Sequence, residues 1–232
     1  CNDLTYSSPS GPHRPIWIAS YPGSGSEMVR VLVETLTGGI GGGSVYIKQD
    51  PPYMDCDCVT ARASICKTHW PVIPFHSPHS FRKGEYDDHS IVLVRNPIHA
   101  FSSRWNHLWA VTTHHRKHTK QAPEKSWNRY IRKNWKSEVE AYQELLQAWT
   151  NHSLLPKHET DLILSYEDLT SPVRGAAAVE KLVHVLEKAN IRTVQDPQSI
   201  KCLWNYTICT KPKRKHTAHK YIPGYTKNQK ER

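Results

Sequence analysis

The chain has 232 residues and a formal charge of +10 at pH 7, from 31 Lys and Arg against 21 Asp and Glu. That length suits a single domain over 1–232, and the charge favours an anionic partner: a phosphorylated cofactor, an acidic glycan, nucleic acid or a membrane surface. No apolar run approaches the roughly 18–20 residues of a bilayer span, and no signal peptide opens the chain. Because it begins with Cys1, it reads as a fragment or processed form, with any membrane anchor expected upstream.

In chain order, residues 1–14 form an N-terminal extension and Ile16 to Ser20 an apolar run that predicts a strand. Val29, Leu32, Val33 and Leu36 recur at helical spacing. Between them lies YPGSGSEMVR, Tyr21 to Arg30. A strand, a Gly/Ser turn and a helix N-terminus make an anion cradle, because glycines let the backbone close in and unpaired N–H groups face the ligand. It is not a Walker A loop: Gly25 is followed by Ser26 and Glu27, so the phosphate-binding Lys is missing.

Gly38 to Ser44 reads as a flexible connection rather than a second phosphate loop, and a Pro-, Cys- and Asp-bearing loop follows over Tyr46 to Asp57. Ala63 to Lys67 predicts a short strand running into KTHWP, after which Pro71, Pro74 and Pro78 forbid regular structure. Ile91 to Val94 is an uninterrupted apolar run, as in a parallel strand buried on both faces. Arg95-Asn96-Pro97 ends it, with Pro97 in the first turn of the next helix.

Trp127, Ile131, Trp135, Val139, Tyr142, Leu146 and Trp149 form a helical aromatic stripe that packs on the core. Leu162 to Ser165 predicts another strand, followed by YEDL and a helix over Val173 to Lys188. The Glu167-Asp168 pair is expected to cap that helix. Strands alternating with helices predict a P-loop-type three-layer α/β/α fold around a mostly parallel sheet, with ligands beyond the strands' carboxyl ends. The chain closes on a basic stretch, Lys211 to Arg232, whose 216–232 portion reads as a basic, flexible tail.

Six cysteines (Cys1, Cys56, Cys58, Cys66, Cys202, Cys209) show no CxxC zinc spacing. Two N-glycosylation acceptor sequences occur, at Asn151 and at Asn205, the second between Cys202 and Cys209. Together these favour an oxidising, lumenal compartment, with a cytoplasmic enzyme as the alternative. His114, His115 and His118 have metal-compatible helical spacing, yet no carboxylate or Cys accompanies them, and a basic exposed turn is the better reading.

Four segments thus fall at strand ends: YPGSGSEMVR, KTHWP, RNPIHAFSS and YEDL. Their order and spacing resemble the sulfotransferases that use 3′-phosphoadenosine 5′-phosphosulfate (PAPS), over roughly Ile16 to Lys215. IASYPGSGS followed by VRVLVETLTG is similar to the Golgi WSC-domain-containing group. The resemblance implies that Tyr21, Pro22, Gly23, Ser24, Gly25 and Ser26 hold the 5′-phosphosulfate. It implies that Arg95 and Ser103 hold the 3′-phosphate, that Tyr166 lies near the adenine, and that Lys213, Arg214 and Lys215 close over the nucleotide. His69 is the implied base, since an imidazole of pKa about 6.5 suits removal of an acceptor proton at neutral pH. Lys67 is the implied cation at the transferring group. No metal is implied.

Three positions depart from the family pattern: Gly23 stands where relatives carry Lys or Arg, Glu27 replaces a hydroxyl residue, and Met28 replaces a Trp. The implied partners are an anionic nucleotide co-substrate and a carbohydrate or other hydroxyl-bearing acceptor. The location implied is the Golgi lumen or secretory pathway, with membrane contact only through an anchor outside this chain and no nucleic-acid partner. Two other classes compete: a polyanion- or nucleic-acid-binding basic domain, which leaves KTHWP and Arg95/Ser103 unexplained, and a P-loop kinase, which lacks its Lys.

Overall fold

Among the described residues five strands, all parallel, run in the order β2-β3-β1-β4-β5: β1 Ile16–Ser20, β2 Gly43–Ser44, β3 Ile65–Thr68, β4 His89–Val94 and β5 Glu159–Ser165. The structure, a computed structural model, describes residues 4–7, 16–38, 43–44, 65–73, 89–113, 121–151 and 159–210. Alternation along each strand divides the core in two. Ile16, Ile18, Ile65, Ile91 and Leu93 point to one face, where they meet Val29, Leu32, Val33 and Leu36 of α1 (Ser26–Thr37). The same cluster takes in Val179, Leu182 and Leu186 of α5 (Gly175–Lys188), and Ile200, Leu203 and Trp204 of α6 (Pro197–Trp204).

Trp17, Ala19, Cys66 and Val92 point to the other face, against Ala100 and Phe101 of α2 (Pro97–Thr112). Trp127, Ile131, Leu145 and Trp149 of α3 (Glu124–Thr150) complete that cluster. Burying each such side chain contributes roughly 1.5–3 kcal/mol, which is why a three-layer sandwich forms. The expected α/β/α fold with a parallel sheet is therefore present.

Two expectations change. The glycine-rich connection contains β2, whose Gly43 and Ser44 lie opposite Cys66 and Lys67; two residues are too few for a periodicity signal. Neither Glu167 nor Asp168 caps α5. Both sit in the first turn of α4 (Tyr166–Leu169), which Ser165 caps by accepting from Asp168 N–H at 3.2 Å. α6, unread in the sequence, starts at an Asp196 cap accepting from Ser199 N–H at 2.7 Å, with Pro197 in its first turn.

The register puts Ala19 beside Thr68, Ser20 beside Leu93 and Val94 beside Ser165, so four strands end along one edge. β1 and β4 flank the point where the chain reverses its direction of sheet growth, which is where open α/β sheets bind ligands.

Candidate active site

From that edge β1 turns at once. Ser24 N–H donates to Tyr21 O at 3.0 Å, and Gly23 (φ 92°) and Gly25 (φ 95°) adopt the left-handed backbone that glycine tolerates. Glycine is also required by contact. A Cβ on Gly23 would lie 2.5 Å from Ala100 O and 2.8 Å from Arg104 N. The turn is thus pressed onto α2, and no Lys fits where relatives carry one.

Gly25 is the N-cap of α1 and has no side chain to cap it, as α3 and α5 also lack a side-chain cap, so no cap side chain takes the first N–H groups of α1. Beside them Ser24 Oγ is fully buried and has no hydrogen-bond partner. Tyr21 contributes backbone only: its ring is buried against Phe101 and Tyr142, each at 5.3 Å, and its hydroxyl accepts from Arg104 at 2.7 Å.

Arg95 leaves the end of β4 and crosses to this turn. Its Nη1 donates to Gly23 O at 2.8 Å, its guanidinium lies 4.2 Å from the Tyr166 ring centroid, and its buried Nε has no hydrogen-bond partner. The Tyr166 ring in turn covers Gly25, where a Cβ would approach it to 2.6 Å. Ser103 is the seventh residue of α2, with its Cβ 3.1 Å from the position a Gly23 Cβ would take. Gly23, Gly25, Arg95, Ser103 and Tyr166 are therefore one cluster. Lys213, Arg214 and Lys215 lie outside the described residues, as do His114, His115 and His118.

From β3, His69 is buried, with Nδ1 2.7 Å from Ser20 O. A carbonyl only accepts, so Nδ1 carries the proton and Nε2 the lone pair of the neutral ring. Lys67 projects on the α1 side of the sheet, and its Nζ lies 3.6 Å from Glu27 Oε2. Burial lowers the Lys67 pKa, partly offset by Glu27. Burial would raise Glu27, but hydrogen bonds from Arg30 (2.7 and 3.0 Å) and the charge of Lys67 hold it below the usual carboxylate value. The carboxylate that departs from the family pattern is thus exposed and paired with two cations, not aimed unpaired at the turn. Met28 packs against the α1-side core.

Five contributors escape sequence reading. Arg104 donates to Tyr21 Oη and pairs with Glu138 at 2.9 Å, and Tyr130 also donates to Glu138. Tyr142 Oη donates to Arg95 O at 2.7 Å, and Glu167 accepts from Asn96 N–H at 3.0 Å. Glu138 does leave a trace: it is a carboxylate on the apolar stripe of α3, buried with Ile131 and Leu145. Among the described residues, His89, Glu159 and Asp161 are grouped as metal ligands might be, but at the opposite sheet edge, where Lys188 Nζ already sits 3.0 Å from Asp161.

A helix N-terminus without a side-chain cap, the buried unpartnered Ser24 Oγ and the bridging Arg95, all at the switch point of a parallel sheet, define an α/β protein whose strand-end turn has the features of an anion site. The family described as Sulfotransferase domain matches residues 13–231. The chain belongs to that family, and its general activity is sulfuryl transfer. No curated protein matches it. No helix among the described residues is long and apolar enough to cross a membrane.

Proposed function

We propose that the chain moves a sulfuryl group from PAPS to a hydroxyl or amine on a glycan or other secretory-pathway acceptor. The observation that carries this is that Ser24 Oγ, in the turn before α1, and Nε of Arg95, which bonds that turn at Gly23 O, are both buried and unpartnered. Buried polar atoms are ordinarily satisfied, so a ligand rich in acceptor oxygens fits here. When bound, the nucleotide supplies an activated sulfuryl group.

The chain's own residues divide the remaining work. The N–H groups from Gly23 to Ser26, with the Ser24 and Ser26 hydroxyls, hold the phosphosulfate. Arg95 and Ser103 hold the 3′-phosphate, completed by Lys213, Arg214 and Lys215, while Tyr166 fixes the Arg95 plane and borders the adenine. His69, oriented by Ser20 O, takes the acceptor's proton on Nε2 as the acceptor oxygen or nitrogen attacks in line. Lys67 supplies the cation that Gly23 cannot, and must exchange Glu27 for the ligand.

Calorimetric titration with 3′-phosphoadenosine 5′-phosphate, ATP and an oligonucleotide tests the donor. The first should bind tightest, with a loss of about a hundredfold in Arg95→Ala. Preference for either of the others, or indifference to Arg95, would overturn the reading. In His69→Ala, transfer of labelled sulfate should fall by about 10²–10⁴-fold; undiminished transfer removes His69 as base and leaves the family intact.

A secretory location, Golgi by resemblance, is part of the same proposal. Asn205 is exposed, and Cys66 and Cys202 are not free thiols. Cys209 is a free exposed thiol, so no Cys202–Cys209 bridge brackets Asn205. Expression through a secretory pathway should give a glycan-sized mass that Asn205→Gln removes; an unmodified Asn205 counts against it.

A further inference from the structure

α3 carries its charges in two blocks. Its first half exposes Lys125, Arg129, Arg132, Lys133 and Lys136 against Glu124. Its second half has no Lys or Arg, but Glu138, Glu140 and Glu144. This order opposes the helix dipole, which favours acids at the N-terminus and bases at the C-terminus. Local helix stability therefore does not explain it. At 100° per residue the five cations lie on one face, opposite the buried Trp127, Ile131 and Glu138. Lys136 has a 3.7 Å ion pair with Glu140; no ion pair is formed by the other four among the described residues.

The position of this face relates it to the donor turn. Near the end of α3, Trp149 O accepts from Thr160 Oγ1 at the second residue of β5, while the Trp149 indole N–H reaches Trp70 O just beyond the carboxyl end of β3. The Tyr142 hydroxyl reaches the carboxyl edge at Arg95 O. Before Tyr142, α3 runs beside α2, which leaves that same edge: Trp135 meets Phe101 and Tyr130 stacks on Trp105. Arg132 stands about 15 Å from Tyr142 along the helix axis and Lys125 about 25 Å. An open recess of about 870 Å³ follows this face, lined by Glu124, Lys125, Asn128, Arg129, Arg132 and Lys133.

Resting on the sulfotransferase reading, we propose that the basic half of α3 is an acceptor track for an anionic polysaccharide. The chain lies along Lys125 to Lys136 by its carboxylates or sulfates and presents a hydroxyl or amine at the donor turn. A glycan fits better than nucleic acid because the aromatic rings of this half face inward. Trp127 is 2 % exposed, and Tyr130 and Trp135 pack against the core, so the track offers bases no stacking platform. A polysaccharide supplies evenly spaced anions and many hydroxyls without needing one.

The test compares the full chain with R129E/R132E and with K181E/K201E, which changes the same charge on exposed Lys residues of α5 and α6. Chondroitin sulfate, uncharged dextran and a single-stranded RNA are the probes, and titration with 3′-phosphoadenosine 5′-phosphate is the control for the donor site. Chondroitin sulfate should bind in preference to dextran and RNA, weaken steeply with salt, and lose about tenfold in affinity in R129E/R132E only. Donor affinity should stay the same in both variants. Equal weakening by the two pairs, no weakening by R129E/R132E, or preference for RNA would overturn the track. Failure of the nucleotide to bind any of the three proteins would instead overturn the sulfotransferase reading beneath it.

Discussion

A hydroxyl buried without a partner costs about 1–3 kcal/mol, and Ser24 is such a group, fully buried beside the first turn of α1. Its replacement should therefore move stability and binding in opposite directions. Ser24→Ala is expected to raise unfolding stability by about 1 kcal/mol and to weaken 3′-phosphoadenosine 5′-phosphate by about tenfold. Chemical denaturation and calorimetry on the same preparation check this; a variant that is both less stable and unchanged in binding would show that the hydroxyl serves the fold. Gly23 makes the complementary point. The Lys common in relatives is excluded here by Ala100 and Arg104, and in the proposed reaction Lys67 of β3, now beside Glu27, supplies the cation instead.

At the scale of elements, α1, β4 and α4 are locked to one another through the turn. Gly25 begins α1 in the left-handed region, the Tyr166 ring of α4 lies over it, and Arg95 from the end of β4 stacks on that ring. Glu167 ties α4 back to Asn96, next to Arg95. A methyl at Gly25 would both strain the backbone, by about 1–2 kcal/mol, and push Tyr166 away from Arg95. Gly25→Ala should lower the thermal midpoint and cut donor affinity by more than about tenfold. If the midpoint falls while affinity holds, the Tyr166–Arg95 stack does not position the guanidinium.

Across the whole molecule, Tyr21, Arg104, Glu138 and Tyr130 join the turn after β1 to α2 and α3. Burial pushes the Glu138 carboxyl from its ordinary 4.5 up to about 7, and burial also lowers Arg104. The folded chain thus keeps a proton that the unfolded chain has released. Stability from this site is greatest below about pH 4.5 and falls as the pH rises toward 7, where the folded carboxyl also ionises. Glu138→Gln should flatten the fall between pH 4.5 and 7 in urea midpoints; a wild-type slope retained in that variant would place its origin elsewhere.

Much of this architecture was legible because its signals are local. Apolar runs marked β1 and β4, helical spacing marked α1 and α3, and Gly/Ser chemistry with no Walker Lys marked the anion turn. The residue spacing that resembled sulfotransferases led to the family that the chain belongs to. β2 was unreadable since two residues carry no period, and the Glu167-Asp168 pair misled because a carboxylate's partner is chosen in space: Glu167 found the Asn96 N–H, 71 positions away. The same holds for Arg104, whose burial and pairing with Glu138 come from α2 packing on α3, and for Glu27, neutralised by Lys67 across from β3. Sequence alone determined the strand–turn–helix anion cradle and the residue types around it, because backbone preference and hydrophobic period act over a few residues. Tertiary structure alone decided which charges meet, which polar atoms stay unpartnered and why Gly23 admits no side chain, because those depend on contacts between elements distant in the chain.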